Sequence, residues 1–129
     1  ELDFNLKIGE EKIYGKIDRV DCDENGKIII IDYKTGEPKE KLALDDKNQL
    51  LIYQIALQKA YGIIPNILEY YYLTNGSRIE FIGSKQELDS IEDKIKNVGK
   101  QINDSNFAAT PGHQCRTCDF KDICEFREL

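Results

Sequence analysis

Two acids and a base carry the chemistry open to this chain. In "IIIIDYKTG", residues 28–36, four isoleucines run into Asp32, Tyr33 and Lys34; in "GKIDRVD", residues 15–21, Asp18 sits in a second alternating run. Alternate residues of a strand share a face, so Ile28, Ile30, Asp32 and Lys34 lie on one side and Ile29, Ile31 and Tyr33 on the other. Apolar residues on both faces place the first half of this strand at the centre of a sheet. Asp32 and Lys34 then emerge together at its C-terminal end, beside a Thr-Gly loop. A carboxylate next to a buried apolar run is costly unless it meets a cation or a base. A strand end reaching water, with an incidental ion pair, would account for Asp32 and Lys34 alone. Asp18 tips the balance. The Asn25-Gly26 pair marks a hairpin turn, and symmetric pairing about it brings Asp18 opposite Tyr33, beside both Asp32 and Lys34. Carboxylates gathered in this way repel one another unless neutralised, and a hard divalent cation with oxygen ligands, Mg²⁺ or Mn²⁺, does this well. Lys34 would then orient or activate the attacking water. Such a constellation suits metal-assisted attack of water on a phosphodiester.

The elements that must hold these residues can be read along the chain. Residues 4–8, 12–21 and 27–34 read as three strands of an antiparallel meander. A polar connection with Gly36 and Pro38 follows. Leu50, Tyr53, Leu57 and Tyr61 make a helical stripe, with Asp46 as the expected N-cap and Gly62 as the stop. Residues 66–83 form a second hairpin around Asn75-Gly76. A second helix starts at Ser84, with Glu87 three residues on as a capping box, and carries Leu88, Ile91, Ile95, Val98 and Ile102 on one stripe. The order βββ–α–ββ–α predicts an α/β (α+β) fold with a mixed sheet flanked by helices. Residues 1–105 are expected to form the core domain and residues 106–129 a cysteine-bearing tail.

Composition narrows the class. The chain has 129 residues, 40% hydrophobic and 33% charged, which suits one globular domain with a core of its own rather than a disordered segment. No apolar run approaches the ~20 residues of a membrane helix, and no signal-peptide layout opens the chain. The net charge of −6 speaks against a stand-alone nucleic-acid binder, although a metal site is itself acidic. The chain contains no Met and opens on a strand-like run, so it is expected to be a piece of a longer protein.

Taken together, "GKIDRVD", "IIIIDYKTG" and "QLLIY" resemble the PD-(D/E)XK nuclease superfamily, in its RecB/AddB-like branch. That pattern has an Asp in a G-x-I-D-R-x-D strand, a D-Y-K-T strand end and a Q-x-x-x-Y helix; here all three occur in order over about residues 4–61. The resemblance implies a restriction-endonuclease-like core. It implies Asp18 and Asp32 as ligands of Mg²⁺ or Mn²⁺, the backbone carbonyl of Tyr33 as a further ligand, and Lys34 as the catalytic lysine. Gln49 and Tyr53, at i and i+4 on one helix face, would approach the active site or the DNA backbone, although Tyr53 also fits the apolar stripe. Arg19 and Asp21 complete the D-R-x-D pattern and are expected to form a structural pair on the face opposite Asp18. Asp45 and Asp46 are expected to be solvated or capping. The implied activity is that of a metal-dependent deoxyribonuclease, exonuclease-like, in the C-terminal part of a helicase–nuclease or a DNA-repair or recombination protein. DNA and a helicase domain or subunit are the implied partners. The family's first motif, an upstream helix often bearing a metal-binding His, has no counterpart before residue 4. A catalytically inactive nuclease-like fold serving as a DNA-binding or architectural module is therefore the alternative.

Cys115, Cys118 and Cys124 form C-x2-C-x5-C, with Cys22 far away. Clustering of this kind suits metal or cluster ligands in a reducing, cytoplasmic compartment rather than a disulfide framework. Zinc prefers four ligands, usually in two pairs, whereas three cysteines with a distant fourth suit an iron–sulfur cluster. The resemblance implies a 4Fe–4S cluster whose fourth cysteine lies upstream of the core. Cys22, in a turn at the opposite end of its hairpin from the family's ligand, is the less favoured candidate for that role. His113 reads as a loop residue in preference to a zinc ligand, and a zinc-ribbon-like interaction tail on an unrelated α+β fold is the weaker alternative.

Overall fold

The computed structural model describes residues 1–128. They contain six strands, β1 (Leu2–Ile8), β2 (Glu11–Ile17), β3 (Arg19–Cys22), β4 (Ile28–Lys34), β5 (Ile67–Tyr72) and β6 (Arg78–Phe81), with helices α1 (Leu44–Tyr61) and α2 (Lys85–Asp104) and a short 3₁₀ turn, His113–Thr117. The chain divides into two compact units, Glu1–Gly99 and the segment from Lys100 onward.

Strand two of the expected meander is broken at Asp18. β1 and β2 pair as a separate antiparallel ribbon, while β3, β4, β5 and β6 form a four-stranded sheet in that order. β4 and β5 are parallel and joined through α1; the other neighbours in this sheet are antiparallel. The sheet is therefore mixed, as expected, with β4 inside it. Ile30 and Leu68 are fully buried beneath Leu50 and Leu57 of α1 in one continuous core. Burial of such side chains contributes roughly 1.5–3 kcal/mol each, and this fixes α1 over the C-terminal half of β4.

The turn after β3 also differs in detail. Asp23 C=O accepts from Gly26 N–H at 3.0 Å, and only Gly26, at φ 79°, is left-handed. That is a three-residue loop closed by glycine, not the two-residue loop in which Asn25 would be left-handed too. The centre of the hairpin moves to Asn25, giving Arg19↔Ile31 and Val20↔Ile30. Continuing that register sets Asp18 across from Asp32 instead of Tyr33.

α1 begins two residues before the expected cap. Ala43 is the N-cap, and Asp46, in the first turn, accepts the Ala43 N–H at 2.9 Å and pairs with Lys39. Asp46 thus reaches back to the cap from inside the helix. The helix ends at Gly62, as expected. At α2 the Ser84/Glu87 capping box forms reciprocally, at 3.2 and 2.9 Å. Three ion pairs, Lys47–Glu87, Lys59–Glu92 and Lys94–Asp45, bind α2 to α1. Of the expected stripe on α2, Ile91 is buried and Leu88 and Ile95 pack against the core, whereas Val98 and Ile102 are exposed.

Gly15 in β2 faces Phe4 of β1. A Cβ at Gly15 would lie 2.3 Å from the Phe4 ring, and that ring is held edge-on against Tyr53 at 6.0 Å. Gly15→Ala is expected to destabilise the fold by about 1–3 kcal/mol through overpacking, read as a lower denaturation midpoint. Phe4→Leu in the same chain should restore part of the loss. An unchanged midpoint in the single variant would show that Phe4 can yield.

Candidate active site

The break between β2 and β3 has a local cause. Past Arg19↔Ile31 the ladder stops, and the Asp18 carboxylate accepts the Tyr33 N–H at 3.0 Å. A side-chain oxygen thus stands where a neighbouring strand would offer a main-chain acceptor, and it pins Asp18 against the C-terminal end of β4. The Lys34 carbonyl is turned the other way, accepting from Leu73 N–H at 2.9 Å. Because main-chain groups alternate sides along a strand, the Tyr33 carbonyl points toward the Asp18 side.

Asp32 is 2% exposed. Its Oδ1 accepts from Gln49 Nε2 at 3.0 Å. Its Oδ2 lies 2.6 Å from Lys34 Nζ in a buried ion pair. Burial pushes the Asp32 carboxyl above its usual range; Lys34 pulls it down and the nearby Asp18 charge adds to the rise.

Gln49 ties the group together. Its Oε1 accepts from Lys34 Nζ at 2.6 Å, and its Nε2 donates to Asp32 and to Tyr53 OH, the latter at 2.9 Å. A carboxylate only accepts and an ammonium only donates, so a single orientation of the amide satisfies both neighbours. Gln49 and Tyr53 are one turn apart on α1, and α1 is fixed over β4 by the core beneath. The residues of the strand motifs and of the Q-x-x-x-Y helix therefore meet at one place. Open α/β sheets bind ligands at this location, beyond the carboxyl ends of their strands.

Tyr70 joins the site without having been singled out in the sequence. It pairs with Asp32 across the parallel β4–β5 ladder. Its ring lies 4.9 Å from Lys34 Nζ and its hydroxyl donates to the Asp46 carbonyl at 2.6 Å. It thereby braces the lysine with a cation–π contact and the first turn of α1 with a hydrogen bond. Only the parallel pairing of distant strands reveals it; within "EYYYL" no single tyrosine stands out.

On the opposite face of the sheet, Arg19 forms the expected pair with Asp21, at 2.7 Å, and donates to Tyr33 OH at 3.0 Å. Asp45 is exposed and paired with Lys94.

The cysteines present a different picture. Cys115, Cys118 and Cys124 are half-buried free thiols, and Cys22 is an exposed one. Gly112 N–H donates to Cys115 Sγ at 3.5 Å, which holds that thiol below its usual range. Among the described residues no three His, Cys, Asp or Glu side chains gather as a metal-binding group. The Asp18/Asp32 site fits a divalent cation: it offers two neighbouring carboxylates, one of them buried and held above its usual range despite Lys34, and a carbonyl turned toward them.

A family model of the PD-(D/E)XK nuclease superfamily matches residues 1–125, and the chain belongs to that superfamily. Its members hydrolyse phosphodiester bonds and use divalent metals. Among solved structures the chain is similar to one described as "Crystal structure of SSO0001", with a TM-score of 0.53 and 25% identity over 95% of this chain. The chain spans 57% of that protein's length. No curated protein matches. Among the described residues no helix is long and apolar enough to cross a membrane.

Proposed function

We propose that this chain is the nuclease module of a DNA-processing protein. It would hold Mg²⁺ or Mn²⁺ on Asp18, Asp32 and the Tyr33 carbonyl and hydrolyse DNA phosphodiester bonds. The observation that carries this reading is the gathering of Asp18, the buried Asp32 and Lys34 at the C-terminal end of β4. Two carboxylates brought together at a strand end repel each other, and the single ammonium of Lys34 offsets only one of their charges, so a further cation is favoured there. A bound divalent cation supplies Lewis acidity at the phosphoryl oxygens and neutralises both carboxylates. Lys34, beside Asp32 and braced by the Tyr70 ring, would present its ammonium to the attacking water and the scissile phosphate. Gln49 holds Asp32 and Lys34 at fixed separation and is itself exposed to substrate. Tyr53, buried and linked to Gln49, supports it from the core.

The finer reading is an exonuclease-like enzyme attached to a helicase domain or subunit, acting in repair or recombination, with a C-terminal cluster held by Cys115, Cys118 and Cys124. Its support is the joint motif pattern and the C-x2-C-x5-C spacing; iron analysis of anaerobically purified full-length protein tests the cluster. The catalytic reading is tested by incubating the full-length protein with linear DNA. Cleavage is expected with Mg²⁺ or Mn²⁺, to stop with EDTA, and to return when the metal is restored. Cleavage that persists in EDTA would sink it.

A further inference from the structure

Next to the reacting group lies a cavity of about 300 Å³, lined by Lys34, Lys39, Leu42, Gln49, Tyr70 and Tyr72 among others. We propose that this cavity is a subsite for the nucleotide adjoining the bond being cut, with Lys39 as the cation that receives its phosphate. The proposal rests on the nuclease reading and extends it to a residue outside the nuclease motifs.

Size, lining and charge each point this way. The volume is at the lower end of small-ligand sites, about 300–1,000 Å³, with room for one nucleotide and not for a duplex. Leu42, Tyr70 and Tyr72 give its lining an apolar share suited to a sugar or base. Lys34 and Gln49 line it too, so what fills it lies beside the reacting centre. A DNA backbone brings one phosphate per nucleotide. A phosphate at Lys34 is therefore followed by another one nucleotide away, and Lys39 is the other lysine on this wall.

Lys39 is also held in a way that allows exchange. It sits on the exposed connection from β4 to α1, and Asp46 is its ion-pair partner. The Asp46 carboxylate accepts the Ala43 N–H as well, so it keeps a partner when Lys39 turns away. Surface ion pairs of this kind contribute little, which makes the exchange inexpensive. The remaining acids of the cavity do not block it. Asp45 is engaged by Lys94 and Asn48, and Glu37 is exposed to solvent, where its charge is screened.

Steady-state cleavage by the full-length protein over a series of KCl concentrations tests this. In Lys39→Ala, KM should rise while kcat stays within about twofold. The slope of log(kcat/KM) against log[KCl] should become shallower by about 0.7–0.9, the loss of one phosphate contact. Lys39→Arg should keep the slope. Lys41→Ala, on the same connection but not lining the cavity, should leave slope and KM unchanged. Asp46→Asn, which frees Lys39, should leave the slope as steep as in the parent or steeper. If Lys39 serves only to hold Asp46, Lys39→Ala and Asp46→Asn will lose activity alike with no change of slope, and the proposal is overturned. Failure of the parent protein to cleave any DNA would instead remove the nuclease reading and this subsite with it. The two failures are distinguishable because the Lys39 comparison is made on active protein.

Discussion

Lys34→Met is expected to leave the protein folded and to lower kcat by about 10²–10⁴, the usual range for removing a group that handles a proton or orients the attacking nucleophile. Three contacts place the ammonium: Asp32 Oδ2 at 2.6 Å, Gln49 Oε1 at 2.6 Å and the Tyr70 ring at 4.9 Å. Methionine fills the volume over Tyr70, so packing survives while the charge is lost. KM should change far less than kcat, because the lysine acts on the reacting group. The same change removes the cation that favours ionised Asp32, so the residual activity should need more alkaline conditions than the parent. Initial rates at saturating Mg²⁺ across pH measure both effects. A fall of less than tenfold with an unmoved pH profile would show that Lys34 does not act in the chemical step.

The second large effect joins activity to stability. Asp32→Asn should abolish cleavage and yet stabilise the protein in the absence of metal. The Asp32 carboxyl is held above its usual range chiefly by burial, against the pull of Lys34. A raised acid pKa means the fold favours the protonated form. That contribution is fully present below the unfolded pKa and lost as pH rises through the folded value. At pH 7 the charged, buried carboxylate therefore works against folding, and the neutral amide relieves it. Lys34, one-third exposed at its side chain, is solvated once its partner is gone. The metal-free variant should melt higher than the parent at pH 7, by roughly a few degrees for a domain this size. The difference should shrink as the pH falls and the parent's Asp32 takes up its proton. Saturating Mg²⁺ or Mn²⁺ should reverse the order. The parent gains about 2.7 kcal/mol at one hundred times Kd, and the variant gains little. Thermal melts with and without metal would show the crossing; a variant less stable than the parent in EDTA would contradict it.

Much of this arrangement was legible in the sequence because it depends on local periodicity. Two-residue alternation placed Asp32 and Lys34 on one side of a buried strand, and a four-residue helical step placed Gln49 over Tyr53. What eluded local reading was set by geometry that spacing does not encode. One extra residue in the Asp23–Lys27 loop shifted the register and put Asp18 across from Asp32. The break at Asp18 arose because its carboxylate captured the Tyr33 N–H. Asp46 looks like a cap by residue type, but it serves the helix end from its first turn. Tyr70 enters the site only because β5 lies parallel to β4, a pairing between segments more than thirty residues apart. In the tail, Cys115, Cys118 and Cys124 are half-buried thiols at the spacing that suggests a cluster.

The central claim is that Asp18 and Asp32 together hold a divalent cation. Titrating Mn²⁺ into the metal-free protein, and into Asp18→Asn and Asp32→Asn, tests it most directly. Saturable binding is expected in the parent and should be lost or weakened by at least tenfold in each variant, with the folds intact. Mn²⁺ binding of equal affinity in all three proteins, or no saturable binding by the full-length parent, would contradict it.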